Sequence, residues 1–486
     1  MEGAESLIAK TYATQALEAR KEREKMIRSL LAQRSLPSAG WSEDMIEEFL
    51  ATAASMDSNN FVHNVGVGER EARVYSGIVS RRHFRMAHGI GRSGDLVADQ
   101  PKAAGATLLF KLANSLCLSA IRTCCGLTAA DKCLITPLAT GMTMTLVLLA
   151  LKPKRPETAK YVIWPRIDQK SCLKAIATAG FIPVVVECRK GTLFTRDSPD
   201  TPTDEVCVPV EDIERAIHDT CGGPENVFCV LSTTSCFAPR IPDDVAGIAQ
   251  LCERLGVAHV INNAYGLQAS KITHSVDEAM RKGRVDAVVQ STDKNFLVPV
   301  GGGIVLCDSK KHDTVDLVSK AYPGRASSVP AEDLFITLLE MGQAGLKDLL
   351  KERKELMPYF TGKVAQICAE NNERLLTTPS NPISFGITLD NHSGKERDNF
   401  MGSMLFTRGC SGTRVYVSKP GNEKTVCGIK FGGFGAHCSE YPHSYMSIAC
   451  AIGITKKDID IFCERLGKTF KEYDKKFSKK SASSSK

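Results

Sequence analysis

The sequence lacks the marks of several classes of protein. Its 18 cysteines include no Cys-x-x-Cys pair, which argues against zinc fingers and thioredoxin-like chemistry. Its longest apolar run, MTMTLVLLAL at 142–151, is too short to span a bilayer and stops at Lys152. The first residues, MEGAESLIAK, show no basic stretch followed by an apolar one, so we expect no secretory signal. We therefore expect free thiols in a reducing compartment, the cytoplasm, and no membrane contact.

Composition and charge indicate a folded protein with a polyanionic partner. The chain has 486 residues, enough for about three domains. Its 43% hydrophobic and 24% charged residues exclude collagen, coiled-coil and wholly disordered chains. The net charge of +7 is mild, but Lys and Arg concentrate in three runs, at 17–34, 70–92 and 464–486. One such run is usually a solvated face. Three runs in one chain favour a polyanion partner.

The middle of the chain alternates between short β-branched runs and helical patterns. This alternation predicts an α/β fold with a mostly parallel sheet, covered on both faces, and ligands at the carboxyl ends of the strands. The predicted strands lie at 161–165, 182–189, 227–235, 257–264, 286–292 and 302–307.

We divide the chain into four parts. A helical N-terminal extension covers 1–60, and the catalytic large domain covers 61–330. A long helical stretch and short strands such as ISFGITLD indicate a smaller α+β domain at 331–470. The last part, 471–486, closes in SKKSASSSK and should be disordered, because polar low-complexity sequence cannot form a core.

Lys294 stands out within the segment DAVVQSTDKNFLVPVGGG. It directly follows a strand of the buried type and precedes an apolar run with three glycines. Partial desolvation there would lower the pKa of its ammonium group from about 10.4 and free the amine as a nucleophile or base. A solvated loop lysine is the plain alternative for this feature alone.

Asn262 and Ala264 follow the preceding strand, VAHVI. In pyridoxal phosphate (PLP) enzymes of the aspartate-aminotransferase superfamily, an Asp-x-Ala at one strand end serves the pyridine nitrogen. A lysine about thirty residues later holds the aldehyde as a Schiff base. Asn262 occupies the aspartate place, and Ala264 would pack flat on the ring. A neutral Asn262 hydrogen-bonds the ring nitrogen but supplies no charge, which fits a reaction with a good leaving group on Cβ.

Two segments are suited to binding phosphate. The segment ATGM at 139–142 starts a predicted helix, whose N–H groups and small side chains favour an anion. HGIGRSGDL at 88–96 matches the dinucleotide pattern GxGxxG, but an arginine-rich helical stretch precedes it rather than a buried strand. We interpret it as an oxyanion cradle carrying Arg92 and Ser93, with Arg325 as a second guanidinium. A glycine turn with exposed arginines is the alternative.

Together these residues resemble one family, O-phosphoseryl-tRNA(Sec):selenocysteinyl-tRNA synthase. The resemblance rests on GIGRSGD…QPKAAG, PLATGM, IWPRIDQKSC, STTSCFAPR, NNAYG, QSTDKNFLVPVGGG, YPGRAS, LLKERKE and GSMLFTR, and it runs from about Leu17 to about Lys475. It implies a fold type I PLP enzyme that works as a homotetramer. It also implies conversion of phosphoserine, esterified to selenocysteine tRNA, with selenophosphate as the selenium donor.

The resemblance implies roles for individual residues. Lys294 would be the Schiff-base lysine, Asn262 the partner of the ring nitrogen, and Glu69 a filter that repels the free α-carboxylate of loose phosphoserine. The other residues at the cofactor or its phosphate would be Ala264, Arg70, Gln169, Ser171, Ala139, Thr140 and Gly141. The substrate phosphate would be held by Arg92, Ser93, Gln100, Arg325 and Lys170. The tRNA contacts would be Arg281, Arg408, Lys475 and Lys21, although Lys21 replaces an arginine of the family pattern and Gln33 replaces a lysine.

The implied reaction gives these groups an order of action. Lys294, displaced from the cofactor by the substrate amine, removes the α-proton as general base. Phosphate then leaves into the cluster of arginine, serine and glutamine donors, and the dehydroalanyl-tRNA accepts selenium.

Two other functions remain open. A related fold type I lyase or desulfurase would act on a free amino acid, without tRNA. A non-catalytic tRNA-binding protein on this scaffold would explain the basic runs, but it needs neither Lys294 nor Asn262.

Overall fold

Helices and strands alternate through the middle of the chain in the computed structural model, which describes residues 3–190, 203–394 and 399–483. The helices are α1 (Lys10–Gln33), α2 (Glu43–Ser55), α3 (Gly77–Arg82), α4 (Ala104–Thr123), α5 (Thr140–Leu151), α6 (Lys170–Thr178), α7 (Val210–Arg215), α8 (Val245–Leu255), α9 (Ser270–Lys282), α10 (Thr292–Phe296), α11 (Thr314–Ala321), α12 (Val329–Glu370), α13 (Phe400–Thr407) and α14 (Lys456–Ser483). The strands are β1 (Lys132–Thr136), β2 (Tyr161–Pro165), β3 (Ile182–Val186), β4 (Arg189–Lys190), β5 (Val206–Cys207), β6 (Val227–Thr233), β7 (Ala258–Asn262), β8 (Ala287–Ser291), β9 (Gly303–Cys307), β10 (Ser384–Thr388), β11 (Arg414–Tyr416), β12 (Glu423–Val426), β13 (Ile429–Gly432) and β14 (Tyr445–Ala449).

Seven strands form the central sheet in the order β1-β9-β8-β7-β6-β2-β3. All pairs are parallel except those of β9, which runs antiparallel between β8 and β1. The segment 292–302 that joins β8 to β9 is shorter than the roughly twelve residues that a parallel crossover needs. The prediction of a mostly parallel sheet is confirmed. Strands β6 to β9 are buried along their whole length, as expected when helices cover both faces.

Helix α8 shows how the sequence defines an element of this sheet. The Asp244 side chain accepts a hydrogen bond from the Gly247 N–H and so caps the first turn, and Gly256 ends the helix in the left-handed conformation at φ 65°. Between these ends, Ile248 and Leu251 are buried in the second of three core clusters. The cap, the terminal glycine and the apolar stripe together place the helix against β6 and β7.

Helix α4 is, within residues 3–190, 203–394 and 399–483, the one helix long and apolar enough to cross a membrane. Most of its apolar window is buried inside the protein, where Leu109, Phe110 and Leu116 join the largest core cluster.

Helix α12 is interrupted at Gly342, where an N-terminal segment crosses it. Gly342 has a left-handed φ of 59°, and a Cβ there would lie 2.5 Å from the backbone nitrogen of Gly40. The segment 37–41 supplies the hydrogen bonds that the break exposes: Trp41 N–H donates to the Leu339 carbonyl at 2.8 Å, and Gln343 N–H to that of Pro37 at 2.8 Å. The N-terminal extension is therefore fastened to α12.

The C-terminal part has a core of its own, built around the sheet β10-β14-β11. The prediction of a disordered tail from 471 is wrong for most of that stretch, because α14 continues through Ser483. Tyr473 and Phe477 lie one helical turn apart and are buried against Phe400, so they extend the apolar stripe of the helix. Residues 484–486 lie outside the described part of the chain.

Glu332, at the start of α12, is a buried acid with an incomplete set of partners. Its Oε1 has no hydrogen-bond partner within the described chain, and burial raises the pKa of its carboxyl group to about 7. Asp57 and Asp333, whose charges also oppose its ionisation, face it. The folded protein thus holds a proton on Glu332 that the unfolded chain releases near the ordinary pKa of 4.5.

Replacing Glu332 by Gln should therefore stabilise the protein at high pH. A group whose pKa is raised by folding loses its stabilising contribution as pH rises from about 4.5 through about 7. We expect E332Q to have a free energy of unfolding higher than that of the wild type at pH 8, by on the order of 1–3 kcal/mol, and so a higher melting temperature, and to differ little at pH 4.5. E340Q, at an exposed position of the same helix, is the matched control. An equal gain at both pH values would contradict the assignment.

Candidate active site

Lys294 is held at the carboxyl edge of the sheet by the Ala264 carbonyl. That carbonyl accepts hydrogen bonds from the Ser291 N–H at 3.1 Å and from Asn295 Nδ2 at 2.9 Å, so the loop after β7 is tied to the start of α10. Gln268 Nε2 donates to the Lys294 carbonyl at 2.7 Å. The backbone of Lys294 is thus fixed from both sides. Its side chain is exposed, so the described chain does not desolvate it as expected.

Asn262 closes the buried side of the same site. It is 1% exposed, its Nδ2 donates to Cys172 Sγ at 3.2 Å, and its Oδ1 accepts from the Ala264 N–H at 3.3 Å. Burial raises the pKa of the Cys172 thiol to about 11, and the positive charge of Lys294 is among the groups that oppose this rise. Asn262 therefore contacts the first turn of α6, and the charge of Lys294 is near enough to act on Cys172 there.

The starts of α5 and α6 meet beside this pair. A Cβ placed on Gly141 would lie 3.5 Å from the Cβ of Ser171, so the two helix N-termini are nearly in contact. Neither N-cap residue, Ala139 or Gln169, makes a side-chain capping hydrogen bond. First-turn N–H groups that lack a cap favour an anion.

These residues fit PLP. The amine of Lys294 on α10 is suited to the aldehyde of this cofactor, and the buried amide of Asn262 at the end of β7 to its ring nitrogen. The two converging helix starts are suited to its phosphate. Ala264 lies between Asn262 and Lys294 in sequence and is 5% exposed.

A buried ionic network holds the turn that precedes α6. The Arg166 guanidinium, which is fully buried, donates to Asp168 Oδ1 at 2.9 Å and to the Gly432 carbonyl at 2.7 Å. Asp168 Oδ2 accepts from the N–H groups of Gly435 at 2.7 Å and His437 at 2.8 Å. Burial lowers the pKa of His437 to about 4, so this imidazole is neutral at pH 7. The network thus connects the turn before Gln169 to β13 and to the loop that follows it.

The glycine-rich loop is a tight turn, as its letters predict. Gly89, Gly91 and Gly94 have φ values of 69°, 74° and 86°, which a larger residue rarely adopts. Ile90 pairs with Ala326 in an antiparallel bridge, with N–H to carbonyl distances of 3.0 and 3.1 Å. This bridge brings the turn against the loop that carries Arg325.

Cationic groups converge behind this loop. Arg325 is half-buried, donates through Nη2 to the His88 carbonyl, and has an Nε with no partner in the described chain. Burial and the nearby charge of Arg70 lower the pKa of Arg325. Burial and the charges of Arg325 and Lys102 likewise lower the pKa of His88. Such crowding of positive charge, with a free guanidinium donor, is typical of a phosphate site.

The other expected site residues have the following surroundings in the described chain. Arg70, expected at the cofactor, has its charge beside Arg325 in this chain. Gln100 is buried, and its Oε1 accepts from the Lys102 N–H at 3.3 Å. Arg92, Ser93 and Glu69 are exposed. Across residues 3–190, 203–394 and 399–483, no hydrogen bond or ion pair is found between the glycine-rich loop and the Lys294 pair.

Sequence reasoning missed four side chains that shape these groups. They are Cys172, Gln268, His88 and Glu71. Glu71 forms an ion pair with Lys102 at 2.5 Å and accepts from the Gly68 N–H at 3.1 Å, so it orders the loop beside Glu69. Only Cys172 could have been found from the sequence, because it lies one helical turn after Gln169, which was already expected at the cofactor.

The residues expected to contact tRNA lie on helices, or directly after one, at the surface. Lys21 on α1 pairs with Glu18 at 2.7 Å, and Arg281 on α9 pairs with Asp277 at 2.8 Å. Arg408, which follows α13, forms an ion pair with Glu472 of α14. The exposed Lys475 is three residues after Glu472, so it shares that face of α14 with the Arg408 pair.

The sequence profile of O-phosphoseryl-tRNA(Sec) selenium transferase, SepSecS, matches residues 56–471. The chain belongs to this family. The Dictyostelium discoideum protein named O-phosphoseryl-tRNA(Sec) selenium transferase is 45% identical over 97% of this chain and 98% of its own length. The Caenorhabditis elegans protein of the same name is 39% identical over 94% of this chain and 92% of its own length.

Solved structures agree with the family and with the fold. The crystal structure of an archaeal O-phosphoseryl-tRNA(Sec) selenium transferase superposes with a TM-score of 0.83 at 32% identity, covering 96% of this chain and 99% of that one. A Burkholderia pseudomallei sphingosine-1-phosphate lyase superposes with a TM-score of 0.52 at 13% identity and covers 98% of this chain and 94% of that one, which shows the fold alone. The predicted fold type I architecture is thereby confirmed.

Removing the Arg325 guanidinium should weaken phosphate binding without lowering the stability of the protein. R325Q removes a guanidinium that burial and Arg70 disfavour, so the protein without ligand should be no less stable than the wild type. Inorganic phosphate should raise the melting temperature of the wild-type holoenzyme and raise that of R325Q much less, because bound ligand stabilises by mass action. Thermal shift against phosphate concentration measures both effects. R254Q, which breaks an exposed ion pair, is the control. An equal phosphate response in R325Q would contradict the assignment.

Proposed function

We propose that this member of the family is a PLP-dependent enzyme that converts O-phosphoseryl-tRNA(Sec) to selenocysteinyl-tRNA(Sec). Selenophosphate is the selenium donor in this proposal, the enzyme is a homotetramer, and it acts in the cytoplasm. The observation that carries the proposal is that Lys294 and Asn262 follow or end two adjacent strands, with Asn262 bonded to the first turn of α6, in a chain of this family.

PLP, when bound, would supply an electron sink for the carbon that loses its proton. Lys294 would hold the cofactor by its amine and, once free, would take the α-proton of the substrate as general base. The fixed backbone of Lys294 keeps that amine on one path, because its carbonyl is bound by Gln268 and its neighbour Asn295 by Ala264. Hydrogen bonds with Cys172 and Ala264 orient the amide of Asn262. As an amide it would meet the ring nitrogen without a charge.

The departing phosphate would be received by Arg92, Ser93, Gln100 and Arg325. The free Nε of Arg325 supports this role, since it leaves one guanidinium donor for an anion. Glu69 would act as the filter against free phosphoserine, and Glu71, held by Lys102, keeps its neighbour's backbone in place.

Exposed apolar residues support assembly into an oligomer. Phe61, Val62, Val65, Val67 and Tyr75 are all at least 50% exposed in the single chain and lie in the segment next to the proposed filter. A cluster of this kind is unfavourable in water and is typical of a surface covered by another subunit. Such an arrangement would also cover Lys294 and bring a glycine-rich loop to it from a second chain.

The direct test is incubation with phosphoseryl-tRNA(Sec) and selenophosphate, followed by identification of the amino acid esterified to the tRNA. Selenocysteine is the expected product. Turnover of free phosphoserine or cysteine without tRNA would instead support the lyase or desulfurase alternative, and binding of tRNA without any product would support the non-catalytic one.

Lys294→Ala should abolish turnover. The variant lacks the amine that holds the cofactor and moves the proton, so we expect a loss of at least about 10³-fold in kcat and of the Schiff-base absorbance. Lys282→Ala, an exposed residue paired with Glu278 on α9, should retain both. Turnover by Lys294→Ala near the wild-type rate would overturn the assignment.

Substitution of the cations on α9, after α13 and on α14 should weaken tRNA binding. Arg281→Ala, Arg408→Ala and Lys475→Ala would each remove a phosphate contact, so we expect a several-fold higher Kd for tRNA and a log Kd–log salt slope reduced by up to about one. Filter binding across a salt series measures both. An unchanged Kd and slope in all three variants would place the tRNA elsewhere.

A further inference from the structure

A cavity of about 520 Å³ adjoins the residue that holds the backbone of Lys294. Its walls are the start of α9, the middle of α12, the residues after α4 and Pro382. Gln268 is part of the wall, and while its Nε2 donates to the Lys294 carbonyl, its Oε1 accepts from the Ile452 N–H at 2.7 Å. Apart from Gln268, the lining residues are distinct from the cofactor and phosphate groups described above. The volume is in the usual range of small-molecule sites.

The side chains that line this cavity carry positive charge only. Of the described residues, four cations and no carboxylate form its walls, and the cations are Lys271 on α9 and Lys351, Arg353 and Lys354 on α12. None of the four has an ion pair with an acid of the described chain. The charge of Lys271 acts on the buried Glu205, but that carboxylate accepts from the Ser380 N–H at 2.6 Å and does not line the cavity. The cavity therefore lacks an internal counter-ion.

Arg353 is the buried member of this set, with an exposure of 5%. Its Nη1 donates to the carbonyls of Pro382 at 3.0 Å and of Cys450 at 3.2 Å, which hold the guanidinium but do not neutralise it. Its Nε is buried without a partner, and its Nη2 makes no hydrogen bond within the described chain. Nε and Nη2 form the edge of a guanidinium that binds two oxygens of one anion. A buried charge without a partner is costly, so an anion at this edge would be stabilising.

The start of α9 adds backbone donors to the same cavity. The N-cap residue, Ala269, makes no side-chain capping hydrogen bond, and the N–H groups of Ser270 and Lys271 have no acceptor in the described chain. All three residues line the cavity. Free N–H groups at a helix start favour an anion. The buried guanidinium of Arg353 is an independent feature that favours the same kind of ligand.

The rest of the lining is mostly apolar. Its apolar side chains are those of Leu267, Leu350, Met357, Pro358 and Pro382. An inorganic anion would leave these side chains in contact with water, whereas a ligand with an organic body would cover them. Several cations and a helix start match the two charges of a phosphate better than the single charge of a carboxylate. The lining and the volume together favour an organic phosphate.

We propose that this cavity binds an organic phosphate of nucleotide size, with the phosphate on Arg353, Lys271 and the start of α9. Two sources share this chemistry, a free nucleotide and one nucleotide of a bound tRNA. The site goes beyond the proposed function and does not depend on it, because its ligand can be measured by binding alone, without turnover.

The test measures binding of AMP to the holoenzyme by calorimetry, with adenosine as the matched ligand that lacks the phosphate. We expect AMP to bind at least tenfold more tightly than adenosine. Lys271→Ala and Lys354→Ala should each raise the Kd of AMP several-fold, and the double variant should raise it about tenfold or more, as for the loss of charge-assisted contacts. Lys282→Ala, at the other end of α9, and Arg325→Gln, at the glycine-rich loop, should leave it within twofold.

Arg353→Gln should abolish AMP binding. Because Nη1 of Arg353 also holds two backbone carbonyls, this variant risks misfolding. The lysine variants change exposed side chains and keep the test decisive if it does.

The source of the phosphate follows from competition with tRNA(Sec). Displacement of AMP by the tRNA, with a higher Kd for tRNA in Lys271→Ala, would assign the site to a nucleotide of the tRNA. AMP binding that saturating tRNA leaves unchanged would assign it to a free nucleotide. Either result supports the site.

Four results would overturn the inference. They are the absence of AMP binding, equal binding of adenosine, an unchanged Kd of AMP in the double lysine variant, and loss of AMP binding in Arg325→Gln. The last would place the ligand at the glycine-rich loop. None of these results depends on whether the wild type makes selenocysteinyl-tRNA, so they differ from failure of the proposed function.

Discussion

The Ala264 carbonyl is the acceptor on which the candidate active site depends. It receives hydrogen bonds from Ser291 and Asn295 and so joins the ends of β7 and β8, which the parallel register alone would leave free to move apart. The bond from Ser291 joins the loop after Asn262 to the end of β8, and the bond from Asn295 sets the start of α10, on which Lys294 lies. Without this acceptor, the amine and the amide would still be near neighbours in the sheet, but their relative orientation would not be fixed.

The Arg166–Asp168 ion pair fixes the position of α6 relative to the β12–β13 hairpin in the C-terminal part of the chain. A buried ion pair contributes little net stability because its desolvation offsets its attraction. Here its further hydrogen bonds to Gly432, Gly435 and His437 define where the C-terminal hairpin meets α6. We infer that its role is to orient these segments, since it sets the positions of Gln169 and Lys170 relative to the β12–β13 hairpin.

Sequence patterns predicted the parts of this structure that follow from local chemistry. The strand at 161–165 was placed correctly because YVIWP is bounded by polar turns, and Lys294 stood out because it follows a strand of the buried type. The antiparallel direction of β9, the helical course of α14 through Phe477 and the break at Gly342 were not predicted, because each depends on contacts with distant residues. The roles of all the expected site residues, Lys294 and Asn262 included, and the domain limits before the tail stay predictions.

The central claim is that the amine of Lys294 holds PLP, and one measurement tests it most directly. Native protein, purified with its cofactor, is reduced with borohydride, digested and mapped by mass spectrometry. The account predicts a pyridoxyl adduct on the peptide that contains Lys294 and on no other lysine. An adduct on a different lysine, or unmodified Lys294 in protein that carries stoichiometric PLP, would contradict it.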